Sequence, residues 1–245
     1  TELAYKMPSI LADLANGYLI FLIARKFASI KKSLIVASFY LFNPVLLANS
    51  TLWGQNDSFV ATFILLSYYL LLISRYSLAF LILGLGYLVK PILIFSLPVF
   101  LIYLFFNKIP IKKIIVYLSI FLSIILLLLI PFNNTGNFFQ FLIERHFSAT
   151  NWFPYTTLNA FNFWAVVSST FYGIIDFVSD QNKFLDISLR IWGYAIFVII
   201  YAVGLIKFIR IFQNSKTKSD QIFNFKFLIF TLTLIYFAMF LVFTQ

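Results

Sequence analysis

Five consecutive residues, Trp53-Gly54-Gln55-Asn56-Asp57, set an indole, two amides and a carboxylate between two apolar runs. A carboxylate at such a place could take a proton from an attacking hydroxyl, provided it reaches within hydrogen-bond distance. Trp53, Gln55 and Asn56 could hold a sugar, whose hydroxyls need amide partners and whose ring faces stack on aromatics. A plainer reading exists for each residue. Asn56 or Asp57 can cap the helix that starts near Ser58. Trp53 fits an interfacial aromatic belt, and Gly54 permits a tight turn.

Two further places carry polar side chains in apolar surroundings. Lys90, in "GLGYLVKPILIF", interrupts a run from Leu78 to Phe106. A lysine at mid-membrane costs roughly 2.5–3.5 kcal/mol on insertion scales. It either snorkels to the interface or serves as a point charge for an anionic group such as a lipid phosphate. The stretch "ERHFSATNWFPYTTLNAFNFW" holds Glu144, Arg145, His146, Asn159, Asn162 and Trp164. Part of it is an aromatic girdle at the membrane surface. Its polar members are candidate substrate ligands, because a long external loop this aromatic is not a disordered one. Asp13, beside Asn16 inside the first apolar run, is an intramembrane acid. Such a residue suggests a functional site, yet a packing hydrogen bond between helices is the preferred reading. The glycines of "GLGYLVK" follow no strand, which excludes a dinucleotide fingerprint.

The elements that must position these residues follow from composition. The chain is 62% hydrophobic and 11% charged, far from the roughly one quarter charged of a soluble domain. Its apolar runs are continuous rather than alternating, so they read as helices and not as barrel strands. The expected fold is an all-α, polytopic transmembrane bundle of about eight crossings. Spans are expected near Ile10–Ala24, Leu34–Ser50, Ser58–Ser74, 78–89, 92–106, Ile111–Ile130, Ile187–Lys207 and Ile222–Phe243. Proline removes a helix donor, so Lys90-Pro91 breaks the long segment into two spans or a helix hairpin. A long external loop runs from Pro131 to about Asn159, followed by a weakly apolar stretch, 160–178, that suits an interfacial or re-entrant helix.

The net charge of +10 is no sign of nucleic acid, because Lys and Arg gather in short clusters between apolar runs. Such clusters belong on the cytoplasmic side. The Trp53–Asp57 stretch, Lys90-Pro91 and the 131–186 region then lie on the other side. There are no cysteines and one histidine, which excludes disulfides, thiolate metal sites and a multi-histidine centre. The chain opens at Thr1 without a signal peptide and stops at Gln245 in an apolar run. It reads as a fragment cut at both ends.

Taken in order, "YKMPSILADL", "NPVLLANSTLWGQNDSF", "LGYLVKPILIFSLPVFLIYLFF" and "RHFSATNWFPYTTLNAFNFW" resemble the GT-C superfamily of multispanning glycosyltransferases. The likeness covers most of the chain and is greatest to enzymes that use a dolichyl- or polyprenyl-phosphate-linked glucose or mannose. It implies transfer of a hexose from that carrier to a lipid-linked or protein acceptor at the non-cytoplasmic face, with inversion. It implies that Trp53, Gln55, Asn56 and Asp57 line the sugar pocket. Lys90 with Arg145 or His146 would hold the phosphate, and Asn159, Asn162 and Trp164 mark an amide-rich aromatic helix start. The family's usual catalytic acid lies in an external loop ahead of the segment matching Tyr5 to Leu14. A basic or His-containing motif often follows the last matching span. Neither is in the chain, so the expectation is one partial transferase domain over 1–245 with Asp57 as the remaining candidate base. No cofactor is certain; a divalent cation stays open, since some relatives use one. Membrane lipids are expected partners and nucleic acid is not. The location implied is the plasma membrane of a prokaryote or the endoplasmic reticulum of a eukaryote.

Two other classes compete. Broken helices also occur in transporters and flippases, but no inverted repeat is visible and the polar residues gather at one face. A purely structural subunit would leave both polar clusters without a purpose.

Overall fold

A computed structural model of the chain describes residues 2–54, 57–133, 136–144, 154–157, 162–175 and 177–214. The fold is helical and of membrane type. The chain forms two compact units, one from 1–97 and 108–132, the other from 98–107 and from 133 onward.

In the first unit, α1 (Glu2–Arg25) packs against α2 (Ile30–Leu41) and α4 (Asp57–Leu72), α4 packs on α5 (Tyr76–Val89), and α5 on α7 (Ile111–Leu129). Helix α1 starts earlier than its apolar run and includes Pro8. Ser29 starts α2, its side chain accepting from Lys32 N. The expected span Leu34–Ser50 is not one straight helix. Pro44 disfavours helical backbone at the residue before it. Asn43 is accordingly extended and caps α3 (Pro44–Leu47) through Val45 N. The two parts are bent by 44°. Residues Ala48–Trp53 then continue as a π-helical turn that ends on Gly54, whose φ of +74° suits a residue without Cβ.

Helices α5 and α7 run parallel, because Tyr76 and Phe80 meet Tyr117 while Tyr87 meets Phe121 further along. Gly84 makes this approach feasible. A methyl there would sit 2.5 Å from Ile124 Cγ2 and 3.1 Å from the Phe121 carbonyl. The break expected at Lys90-Pro91 is present: α5 ends at Val89, Lys90 is extended, and a 3₁₀ segment covers Pro91–Ser96 before α6 (Leu97–Phe106). The direction of each helix sorts the charges. Arg25, Lys26, Lys31, Lys32, Arg75, Lys112 and Lys113 stand toward one end of this unit, and Lys6, Asp57 and Lys90 toward the other.

The second unit contains α6 from Pro98 on and α8 at 138–144, so the long loop expected after Pro131 is partly helical. Helix α9 (Phe163–Tyr172) is short, and a ribbon of β1 (Lys183–Phe184) with β2 (Ile187–Ser188) leads into α10 (Leu189–Asn214). The ribbon is a departure from the all-α expectation, confined to two residues a strand. Trp164, Val178 and Leu189 form a hydrophobic cluster in this unit. Segment 154–157 is tied to 177–180, with Thr156 N donating to Val178 O and Asp180 N to Pro154 O.

Ala4–Arg25, Ile111–Phe132 and Leu189–Arg210 are long and apolar enough to cross a membrane, and the bent α2–α3 pair makes a fourth candidate. Helices α4 and α5 are apolar but shorter. The expected last span, 222–243, lies outside the described residues.

Candidate functional site

Helix α4 begins at Asp57 and helix α5 ends just before Lys90, so antiparallel packing brings both residues to one end of the first unit. There Lys90 Nζ donates to Asp57 Oδ1 at 2.5 Å. The two side chains stay half exposed, at 54% for Lys90 and 47% for Asp57. Asp57 also lies in the first turn of α4, where the helix dipole favours a negative charge. From sequence these residues have separate expected tasks, base and phosphate ligand. The fold joins them into an ion pair with water at hand.

Trp53 ends the π-helical turn beside this pair in the chain. Gln55 and Asn56 lie outside the described residues. A further cation, absent from the sequence reading, stands here. A methyl on Gly54 would lie 3.4 Å from Lys6 Cγ and 3.9 Å from Tyr5 Cδ1. The stem of Lys6 therefore passes over Gly54, three residues before Asp57. Lys6 makes no ion pair among the described residues. Its signal in the sequence is its place in "YKMPSIL", just before the first apolar run.

Directly beneath, a buried polar cluster joins three helices. Ser58 Oγ donates to Asp13 Oδ1 at 2.5 Å, and Tyr40 Oη donates to the same oxygen at 3.3 Å. Asn16 Nδ2 donates to Ser58 O at 2.8 Å and to Tyr40 Oη at 3.0 Å. Asp13, Asn16 and Ser58 are all buried. This is the interhelical hydrogen bonding preferred for Asp13 from sequence. Because Ser58 follows Asp57, the cluster also fixes the start of α4 against α1.

The remaining candidates belong to the second unit. Glu144 accepts from Gln140 Nε2 at 2.8 Å, one turn away on α8. Asn162 caps α9, its Oδ1 accepting from Trp164 N and Ala165 N at 3.0 and 3.2 Å. Asn162 Nδ2 is buried and finds no partner among the described residues. Trp164 is in the core at 2% exposure. Arg145, His146 and Asn159 lie outside the described residues. Among the acids of the 131–186 region, Asp180 has a firm partner. Asp180 is gripped by Arg190, with Nε to Oδ2 at 2.6 Å and Nη2 to Oδ1 at 3.1 Å. Among the described residues no three His, Cys, Asp or Glu side chains gather into a metal-ligating group.

The first unit is thus a helical bundle of membrane type with a half-exposed carboxylate and lysines at one end. A profile of the dolichyl-phosphate-mannose-protein mannosyltransferase family matches residues 1–133. The match takes in the first unit with its Asp57–Lys90 pair, and the chain belongs to this family. No curated protein and no solved structure matches it.

Proposed function

We propose that the chain is the core of a hexosyltransferase that moves mannose or glucose from a polyprenyl- or dolichyl-phosphate carrier to a protein or lipid-linked acceptor. The protein is an integral membrane protein; the proposed topology has about eight crossings and puts the Asp57–Lys90 end on the non-cytoplasmic side. In a prokaryote that end would face out from the plasma membrane, in a eukaryote into the endoplasmic reticulum. The observation that carries this reading is the half-exposed Asp57–Lys90 pair at the mouth of the helices, with Lys6 beside it.

The chemistry asks for a carboxylate near the attacking hydroxyl and cations near the departing phosphate. In an inverting displacement these stand on opposite faces of the anomeric carbon. Two groups in direct contact cannot flank it. The pair must therefore part, and the exposed, flexible Lys90 is the member that moves. Lys90, aided by Lys6, takes the phosphate. Asp57 is left to accept the acceptor's proton. The new bond forms between the acceptor oxygen and the anomeric carbon as the bond to phosphate oxygen breaks. Trp53, Gln55 and Asn56 would hold the sugar.

The short contact favours a second reading, in which Asp57 only orients Lys90 and the base comes from elsewhere in the parent protein. The test is transfer of labelled mannose or glucose from polyprenyl phosphate to peptide and lipid-linked acceptors by the intact parent in vesicles. Transfer that falls with both Asp57→Asn and Lys90→Ala supports the site. If Asp57→Asn raises KM alone and has no further effect once Lys90 is alanine, Asp57 is an orienting residue. Uptake of substrate without transfer would instead favour a transporter.

A further inference from the structure

The second unit contains a pocket of about 490 Å³, walled by aromatic and aliphatic side chains from α9, the β-ribbon and the first turns of α10. Trp164, Val167, Phe184, Trp192 and Ile196 supply apolar walls, and Lys183 is its charged member. The volume is within the usual range for a bound small molecule, about 300–1,000 Å³. We propose that this pocket binds an anionic phospholipid of the surrounding bilayer, with an acyl chain against the tryptophans and the headgroup on Lys183.

Position supports that occupant. Leu189, Trp192 and Ile196 are in the first turns of the candidate span Leu189–Arg210, so the pocket lies at one membrane boundary. Tryptophans are concentrated at that depth, and lipid headgroups meet lipid chains there. Construction supports it as well. Trp192 Nε1 is already satisfied by Phe184 O at 3.0 Å, so the indole turns no unpaired donor toward a guest. Arg190 is held by Asp180. Lys183, exposed on β1 opposite Ser188, makes no ion pair among the described residues. Asp186, in the turn of the ribbon, does not line the pocket. A largely apolar slot whose lysine makes no ion pair among the described residues matches an acyl chain carrying a negative head; apart from Lys183, Tyr172 and the indoles, its lining side chains offer a sugar no hydrogen-bonding group. The proposal stands on the second unit alone and does not depend on the transferase reading.

The test uses the full chain in phosphatidylcholine vesicles, with Trp53→Phe and Trp152→Phe so that Trp164 and Trp192 carry the emission. A fraction of the lipid is replaced by phosphatidylglycerol or phosphatidylcholine brominated at mid-chain, since bromine quenches tryptophan only near contact. The anionic lipid should half-quench at a mole fraction about fivefold lower than the zwitterionic one, the gain expected of one lysine beside an anionic headgroup. Lys183→Gln, at an exposed position, should fold and bring the two curves together. Equal quenching in the unaltered pocket would overturn the proposal, as would a preference that survives Lys183→Gln. Recovery of emission on adding polyprenyl phosphate would also overturn it, by giving the pocket to the tail of the sugar carrier.

Discussion

Two salt bridges, one in each unit, use the same chemistry for opposite ends. Asp57 and Lys90 meet through one oxygen at 2.5 Å, each side chain about half exposed. Asp180 and Arg190 meet through two nitrogens and two oxygens, and Asp180 is 3% exposed. Lysine is a compact charge on a flexible stem, whereas the planar arginine fork fixes the geometry of its partner. Arg190 N also donates to Asp180 O, and Asp180 N to Pro154 O. The second pair is thereby locked into the backbone around it. Only the first can be opened by a substrate without dismantling its surroundings, and only the second is placed to hold a fold.

The sharpest way to break this comparison is to remove one carboxylate oxygen from each pair. With Asp57→Asn, transfer by the parent enzyme should fall about 100- to 10,000-fold, the range for loss of a general base. Its circular dichroism should be unchanged. Asp180→Asn should leave transfer per folded molecule nearly intact. Equal losses of activity would mean that the two pairs do not divide the labour as proposed.

Stability should reverse the order. Removing one partner of a buried pair leaves the other charge uncompensated, at about 3–5 kcal/mol. Asp180→Ala should therefore lower the unfolding midpoint markedly in a detergent titration followed by Trp emission. Arg190→Lys alone, with Asp180 kept, should lose less, since it keeps the charge and loses only the fork. No change with Asp180→Ala would show that the segment 177–182 is held by Thr156, Val178 and their neighbours instead.

A third substitution lies between these extremes. Ser58→Ala removes a buried donor from Asp13 and should cost about 1–3 kcal/mol. It should also lower transfer modestly, because the start of α4, and with it Asp57, is no longer fixed to α1. Asp13→Asn keeps the shape and an acceptor for Ser58 and should behave more mildly. A Ser58→Ala enzyme with normal stability and normal turnover would detach the cluster from the site.

Much of this molecule was readable from residue type and order, and much was not. Lys90-Pro91 announced the end of α5 because proline cannot continue a helix. Asn43-Pro44 carries the same signal, yet the apolar residues on both sides read as one span, and the bend came out only in three dimensions. Asp13 beside Asn16 in an apolar run promised interhelical hydrogen bonds. It could not name Ser58, 45 residues on. The same holds for the pairing of Asp57 with Lys90, 33 residues apart. Sequence shows which side chains are costly in a membrane, while the packing of α4 on α5 decides which of them meet. Lys6 was passed over because a lysine before an apolar run usually marks a boundary. The β-ribbon escaped because two residues a strand leave no period to see. Arg190 was missed because it sits at the edge of an apolar run, where a cation needs no explanation, and its partner is on the far side of that ribbon.

The smallest effect expected is the one that most directly defines the first pair. An exposed ion pair contributes about 0–1 kcal/mol, and salt screens it over roughly 10 Å at 0.1 M. Asp57→Asn should thus shift the unfolding midpoint barely, and raising the salt should shrink even that shift. The buried Asp180–Arg190 pair should respond little to the same salt, because it is shielded from solvent ions. Suppose instead that Asp57→Asn destabilises the protein as strongly as Asp180→Ala. Lys90 would then be fastened at the end of α5 as firmly as Arg190 is at the start of α10. A lysine so fixed could not move to a phosphate, and the displacement assigned to it would have to pass to Lys6, which starts without an ion pair among the described residues and need break none.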